Sequence, residues 1–125
     1  MNISKVIENV RNIKTGYEVS DEQIISAIND VEMNIILNIT NGRKDDKTIS
    51  DEYGNYDINT DRSKELLAPA PYDNIYQYYV CSQIDLVYED SERYAIDSVL
   101  YNNTFLELRA FWIKNHRQNK KYKYY

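Results

Sequence analysis

Residues 66–80 read LLAPAPYDNIYQYYV and contain both prolines of the chain, Pro69 and Pro71. A proline cannot donate to an upstream helical turn, and it pushes the residue before it into extended geometry. We therefore predict a stiff, extended segment over 66–70 that leads into a new, tyrosine-rich helix. In a chain with so few prolines, this segment is the expected rigid hinge.

Upstream of this segment, apolar residues recur every three or four positions, as expected for helices with one buried face. They predict a first helix over residues 3–13. A capping box that begins at Ser20 then starts a second helix. This helix should stop near Asn41 or Gly42, because either residue can adopt the left-handed conformation that ends a helix.

Downstream, Asp73 is the predicted N-cap of a third helix that continues to about Glu89. A fourth helix opens at Ser91 and continues to about His116, a length of about 37 Å at 1.5 Å per residue. Its apolar stripe consists of Tyr94, Ser98, Tyr101, Phe105, Leu108 and Trp112. The short connection between the two helices predicts an antiparallel helical hairpin.

Residues 43–65 differ from the helical regions, since they are rich in charge and poor in aliphatic side chains. An irregular excursion of this length inside a compact domain is usually functional or disordered. We predict an arm here, with a short β-hairpin over Tyr53 to Ile58 as an option. A lone hairpin is marginal in water, so an ordered one is expected to lean on another chain.

Together these patterns predict an all-α fold, a four-helix domain made of two N-terminal helices and a long antiparallel helical hairpin. An extended arm, with or without the hairpin, lies between helices two and three. A chain of 125 residues most simply forms one domain. We assign residues 1–116 to this domain, including the arm at 43–65, and residues 117–125 to a basic, aromatic C-terminal tail.

The composition favours a protein that assembles with others. The chain has 13 tyrosines and a mean hydropathy of -0.69, and tyrosine supplies large contact area while tolerating water. An AT-biased genome is the alternative source of these tyrosines. Because Cys81 is the single cysteine, an intramolecular disulfide is excluded, which fits a protein made in a reducing compartment. We expect its thiol to lie in the core. No apolar run suggests a signal peptide or a membrane span, so we expect a soluble protein without a cleaved signal.

The formal charge of -5 is unevenly distributed along the chain. Residues 114–125 hold five basic and no acidic side chains, whereas residues 1–113 hold 10 basic and 20 acidic ones. This asymmetry suggests that the basic end meets something anionic or folds onto a partner. A solvated, frayed terminus is the alternative.

Catalytic, cofactor and metal sites are not predicted. The only histidine, His116, lies between Lys114 and Arg117 near a helix end, where it suits the negative helix terminus better than proton abstraction. Metal-ligand spacings and phosphate-binding glycine loops are absent from the sequence. The carboxylates of Asp85 and Glu89, one helical turn apart, are predicted to lie on a solvated face. We therefore expect no enzyme.

A family resemblance is carried by residues 66–76, LLAPAPYDNIY, followed by Tyr78-Tyr79 and Gln83-Ile84-Asp85. This pattern resembles small head-tail connector (neck adaptor) proteins of tailed bacteriophages. The resemblance continues through Arg93-Tyr94 and FWIKNH at 111–116. The N-terminal helices fit it as well, so it spans about residues 3–116.

The resemblance implies a homo-oligomeric ring, commonly twelvefold, beneath the portal protein in the virion neck, assembled in the host cytoplasm. Such a ring extends the DNA channel, with DNA only as passing cargo, and joins the head to the next neck or tail-terminator component. Residues implied in portal docking are Trp112, His116, Arg117, Lys120, Lys121, Tyr122, Tyr124 and Tyr125. Residues suggested for ring or neighbour contacts are Tyr53, Tyr56, Ile58, Tyr72 and Tyr78.

A second hypothesis follows from the basic, aromatic tail. Interleaved lysines and tyrosines are typical of segments that bind nucleic acid, so the chain could instead be a small helical nucleic-acid-binding or regulatory protein. The acidic body opposes this interpretation, because it repels phosphate unless the tail is held clear of it.

Overall fold

A computed structural model of the chain describes residues 1–44 and 47–120, with side chains for residues 1–43 and 48–115. It contains four α-helices packed around one core. These are α1 (Ile3–Ile13), α2 (Asp21–Ile35), α3 (Ile75–Val87) and α4 (Ser91–Lys120). The predicted all-α, four-helix fold is confirmed.

Local capping residues determine where α1 and α2 begin. The Asn2 side chain accepts a hydrogen bond from the Lys5 amide at 2.8 Å. At α2, Ser20 Oγ accepts from the Gln23 amide at 3.1 Å, and the Gln23 side chain accepts from the Ser20 amide at 3.0 Å. Both bonds satisfy amides that a helix start leaves without partners, and they confirm the predicted capping box.

The second helix continues past Ile35 as one π-helical turn, Ile36–Thr40, and ends where Asn41 adopts a φ of 54°. Asn41 is one of the two residues, with Gly42, that the sequence predicts to end this helix in the left-handed conformation. The face formed by Ile24, Ile28 and Val31 is fully buried. Helix α3 contacts α1, α2 and α4, so α3 is the central element of the fold.

The segment between α2 and α3 folds back onto α2. Its only strand pair in the described residues is β1 (Arg43–Lys44) with β2 (Lys47–Thr48), so the hairpin predicted over Tyr53 to Ile58 is wrong in position. Tyr56 is held on α2 by Asn29, whose side chain accepts from the Tyr56 amide at 2.9 Å and donates to its carbonyl at 2.8 Å.

The proline segment is bent, with residues 66–68 buried and both prolines exposed, so the prediction of a stiff extended segment over 66–70 is wrong. Leu66, Leu67 and Ala68 belong to the core. The chain then turns, with a cis Ala70–Pro71 bond, and the Tyr72 amide donates to the Pro69 carbonyl at 2.8 Å. A short 3₁₀ turn, Tyr72–Asn74, precedes α3. Asp73 therefore lies inside this turn and is not the N-cap of α3.

Helices α3 and α4 form the predicted antiparallel hairpin. The connection is tight because Glu89 adopts a φ of 58°. Along the hairpin the rings of Tyr79 and Tyr101 lie 5.0 Å apart, and Leu108 is 4% exposed. With 30 residues, α4 is about 45 Å long, longer than predicted.

Candidate functional site

Helix α4 carries apolar side chains on two opposite sides. Tyr101, Phe105, Leu108 and Trp112 pack against the core, as the predicted stripe requires, although Tyr94 at its start is 37% exposed. On the other side, four aliphatic residues face solvent. These are Ile96, Val99, Leu100 and Leu106, with exposed fractions of 52, 56, 38 and 58%, and we call them the outer stripe.

The four residues of the outer stripe lie on one side of α4, with the exposed Asn103 among them. At 100° per residue the four members of the stripe fall within about 120° of the helix circumference, opposite the packed side. Leu86 and Val87, exposed by 55 and 70%, lie at the same end of the hairpin as Ile96. Single exposed aliphatic residues are ordinary, but an exposed apolar patch marks an interaction surface.

The residues predicted for neighbour contacts differ in how far they are exposed. Tyr56 is 5% exposed, and its ring lies inside the protomer because it packs on α2, so its assignment to a neighbour contact is wrong. Ile58 is 47% exposed. Tyr53, Tyr72 and Tyr78 are half-buried, and the Tyr72 ring lies 5.1 Å from that of Phe111.

Of the residues predicted for portal docking, only Trp112 has a described side chain. His116, Arg117 and Lys120 belong to the backbone of α4, but their side chains lie outside the described part. Lys121, Tyr122, Tyr124 and Tyr125 lie outside the described residues altogether. Trp112 is half-buried and packs against the core.

Trp112 lines a groove of about 580 Å³, which we call the Trp112 groove. Its walls come from α4, from the last turns of α2 and from the bent proline segment. The carboxylates of Glu65 and Asp73 also line it. The groove is thus the place where the proline segment and the second half of α4 meet, a junction that neither sequence pattern reveals alone.

A buried charge cluster joins α1, α3 and α4. The Lys14 ammonium donates to the Asp85 carboxylate and lies 3.5 Å from Asp97 Oδ2. Asp85 is fully buried, so its predicted place on a solvated face with Glu89 is wrong. Burial disfavours the Lys14 charge, but the bond to Asp85 and the charges of both carboxylates outweigh it and raise the pKa of Lys14.

Two further groups titrate abnormally beside this cluster. Burial, followed by the contact with Asp85, raises the pKa of Asp97 to about 6. Burial, followed by the charge of Asp97, raises the pKa of Cys81 to about 12. A thiol with this pKa is a weak nucleophile at neutral pH, and Cys81 is buried, which confirms the predicted core thiol.

Asp97→Asn is expected to raise the melting temperature at pH 6 and above, and this advantage should shrink steadily as the pH falls from about 6 toward 3.8. The folded pKa of Asp97 exceeds its ordinary value of 3.8, so the contribution of this group to stability is full below pH 3.8 and is lost as the pH rises from 3.8 through about 6. Asparagine removes the charge that causes this loss. Thermal unfolding of both proteins from neutral to mildly acid pH checks it.

Asp51→Asn, at an exposed position, is the control and should follow the wild type at every pH. A melting difference for Asp97→Asn that stays constant across this range would contradict the prediction. Lys14, Asp85 and Cys81 are the titratable groups that face Asp97 from α1 and α3, so the result reports on this cluster.

Sequence patterns missed the outer stripe and the buried charge cluster for different reasons. Ile96, Val99 and Leu106 show helical spacing in the sequence, so a search of α4 for two apolar stripes could have found the first. The ion pair between Lys14 and Asp85 joins residues 71 positions apart, and no local signal marks it.

Comparison of the chain with known protein families, with curated proteins and with solved structures finds no match in any of the three. Within the described residues, no group of three or more histidine, cysteine, aspartate or glutamate side chains is placed to hold a metal ion. None of the described helices is long and apolar enough to cross a membrane.

Proposed function

We propose that this protein is a structural assembly subunit, a head-tail connector that forms a ring under the portal of a tailed phage or phage-derived particle. The outer stripe is the observation that carries the proposal. It leaves four large aliphatic side chains in water on the longest helix of the domain. Contact with another subunit would remove them from water at about 25 cal/mol per Å² of apolar surface.

The resemblance of residues 66–94 to phage neck adaptors supports the connector role within this class of assembly proteins. A closed ring needs heterologous contacts, in which two different faces of the subunit are complementary. The outer stripe supplies one such face. The ring, expected to be twelvefold by the same resemblance, would contact the portal on one side and the next neck component on the other.

Charge is consistent with a channel that lets DNA pass. Residues 1–113 carry ten more acidic than basic side chains. A wall of this sign would not grip the phosphate backbone, because DNA binding depends on cationic groups that release its counterions. In this proposal DNA is cargo, and the subunit is neither an enzyme nor a DNA-binding regulator.

Self-assembly of the purified full-length chain tests the proposal. Sedimentation and negative-stain electron microscopy over a range of concentrations should show ring-shaped oligomers, alone or on a portal ring, and duplex DNA should not bind at moderate salt. A chain that stays monomeric even with a portal would overturn it. Affinity for DNA that falls steeply with salt and is lost without residues 117–125 would favour the nucleic-acid-binding alternative.

A further inference from the structure

The Trp112 groove has the size and lining of a binding site. Its volume of about 580 Å³ falls within the range of about 300 to 1,000 Å³ typical of ligand pockets. The walls are mainly aliphatic and aromatic, with Leu108, Phe111 and Trp112 on one side and Leu66 and Leu67 on the other. Phe111 is 36% exposed, so aromatic surface is available to an occupant.

Acidic groups give the rim of the groove a negative charge. The Glu65 side chain is 73% exposed and the Asp73 side chain is 19% exposed. Both contact the amino group of Met1, at 3.1 and 3.5 Å. Two carboxylates beside one ammonium leave the rim net negative, so the groove favours a cationic occupant over an anionic one.

The tail of the chain has the matching chemistry. Residues 121–125 read KYKYY, with two lysines, three tyrosines and no acid. Tyrosine rings suit a groove with apolar walls and a wet rim, since they bury area and keep a hydroxyl for hydrogen bonding. Lysine ammonium groups can pair with the rim carboxylates.

Geometry favours a tail from a second copy over the tail of the same chain. Helix α4 continues to Lys120, eight residues and about 12 Å beyond Trp112 along its axis. Five residues span at most about 17 Å when fully extended, so the same chain would have to reverse direction at once to bring even its last tyrosines back. A neighbouring subunit has no such constraint.

We infer that the Trp112 groove binds residues 121–125 of a second copy of this chain, with the tyrosines against its apolar walls and the lysines at its acidic rim. This inference rests on the self-association in the proposed function and deepens it. It assigns the tail to a neighbouring subunit, whereas the family resemblance alone assigns it to the portal.

Trp112 is the only tryptophan of the chain, so its fluorescence reports on the groove directly. One full-length protein, the acceptor, keeps Trp112 and carries Tyr122→Ser, Tyr124→Ser and Tyr125→Ser. A second, the donor, keeps its tail and carries Trp112→Phe. When donor is titrated into acceptor, the emission of Trp112 should change saturably, since a tail from the other protein fills the groove.

Three further variants make the result specific. A donor that also has the three serines should be without effect, and acceptor Glu65→Gln with Asp73→Asn should bind the intact donor about tenfold more weakly, equivalent to about 1.4 kcal/mol. Acceptor Glu22→Gln, an exposed acid about 20 Å from the groove along α2, should bind normally. Raising the salt concentration should weaken binding because the rim contacts are partly exposed.

Three results would overturn the inference. The first is that the emission of Trp112 stays unchanged on mixing. The second is that the serine-tailed donor changes this emission as much as the intact donor does. The third is that the wild type has the emission of a filled groove at every dilution, which would place the tail in the groove of its own chain. Sedimentation of the same mixtures separates these results from failure of the proposed function. Rings that form without any change at Trp112 contradict only the tail assignment.

Discussion

Glu32→Ala should lower the free energy of unfolding by roughly 3 to 5 kcal/mol, because three buried donors lose their acceptor at once. The Glu32 carboxylate is fully buried. It accepts hydrogen bonds from the hydroxyl of Tyr56 at 2.8 Å, from the Leu67 amide at 3.2 Å and from the hydroxyl of Tyr76. The loss is a large share of the stability of a small domain, and urea unfolding measures it.

Two variants test whether the acceptor role causes this loss. Glu32→Gln keeps the size of the side chain and one carbonyl acceptor, so it should cost clearly less than alanine. Glu22→Ala removes an exposed acid from the first turn of the same helix and should cost about 1 kcal/mol or less. If alanine and glutamine at position 32 lower the free energy of unfolding equally, the bonds to the carboxylate oxygen that glutamine replaces with an NH2 group matter most. If alanine lowers it by less than about 1 kcal/mol, the prediction is contradicted.

The effect of Glu32→Ala should also be localised. Glu32 on α2 holds Tyr56 of the folded-back segment, Leu67 of the proline segment and Tyr76 of α3. The hydroxyl of Tyr76 in turn accepts from the Ala68 amide at 2.8 Å. Amide hydrogen exchange at Leu67 and Ala68 should therefore accelerate more than exchange in α1, because the hydrogen bonds to Glu32 come from residues 56, 67 and 76.

The helices could be predicted because their signals are local. The capping box spans four residues, Ser20 to Gln23, and the buried face of α2 repeats every three or four positions, so nearby residues in the sequence carry the information. The course of residues 48–74 depends on contacts between distant residues. Tyr56 and Asn29 are 27 positions apart, and Tyr76 and Glu32 are 44 apart, so no window of sequence shows that this segment folds back.

The two sides of α4 show a different limit of sequence reasoning. Periodicity works when one side of a helix is apolar and the other polar. In α4 the side that carries Val99 is also apolar, so the pattern predicts the stripe that meets the core but gives no polar side opposite it. The side that carries Tyr101 faces α2, because the Tyr101 hydroxyl accepts a hydrogen bond from the Asn34 side chain at 2.7 Å. The remaining apolar side is the outer stripe.

Val99→Asp should abolish ring formation and leave the protomer folded. Val99 is 56% exposed, so the change should alter the free energy of unfolding by no more than about 1 kcal/mol. In a subunit interface the same carboxylate would lose its water without gaining a partner, at a cost of several kcal/mol. Each 1.4 kcal/mol weakens association by about tenfold, so the loss should exceed about 100-fold.

Sedimentation at matched concentrations, together with thermal unfolding, checks both halves of this prediction. Ser26→Asp is the control, because it adds the same charge at an exposed position on α2. Leu106→Asp, two helical turns from Val99 on the same stripe, should act like Val99→Asp. If rings persist in both stripe variants, another surface holds the subunits together. If both variants are monomeric and melt like the wild type, the outer stripe is the contact between subunits, because a folding defect would have lowered the melting temperature as well.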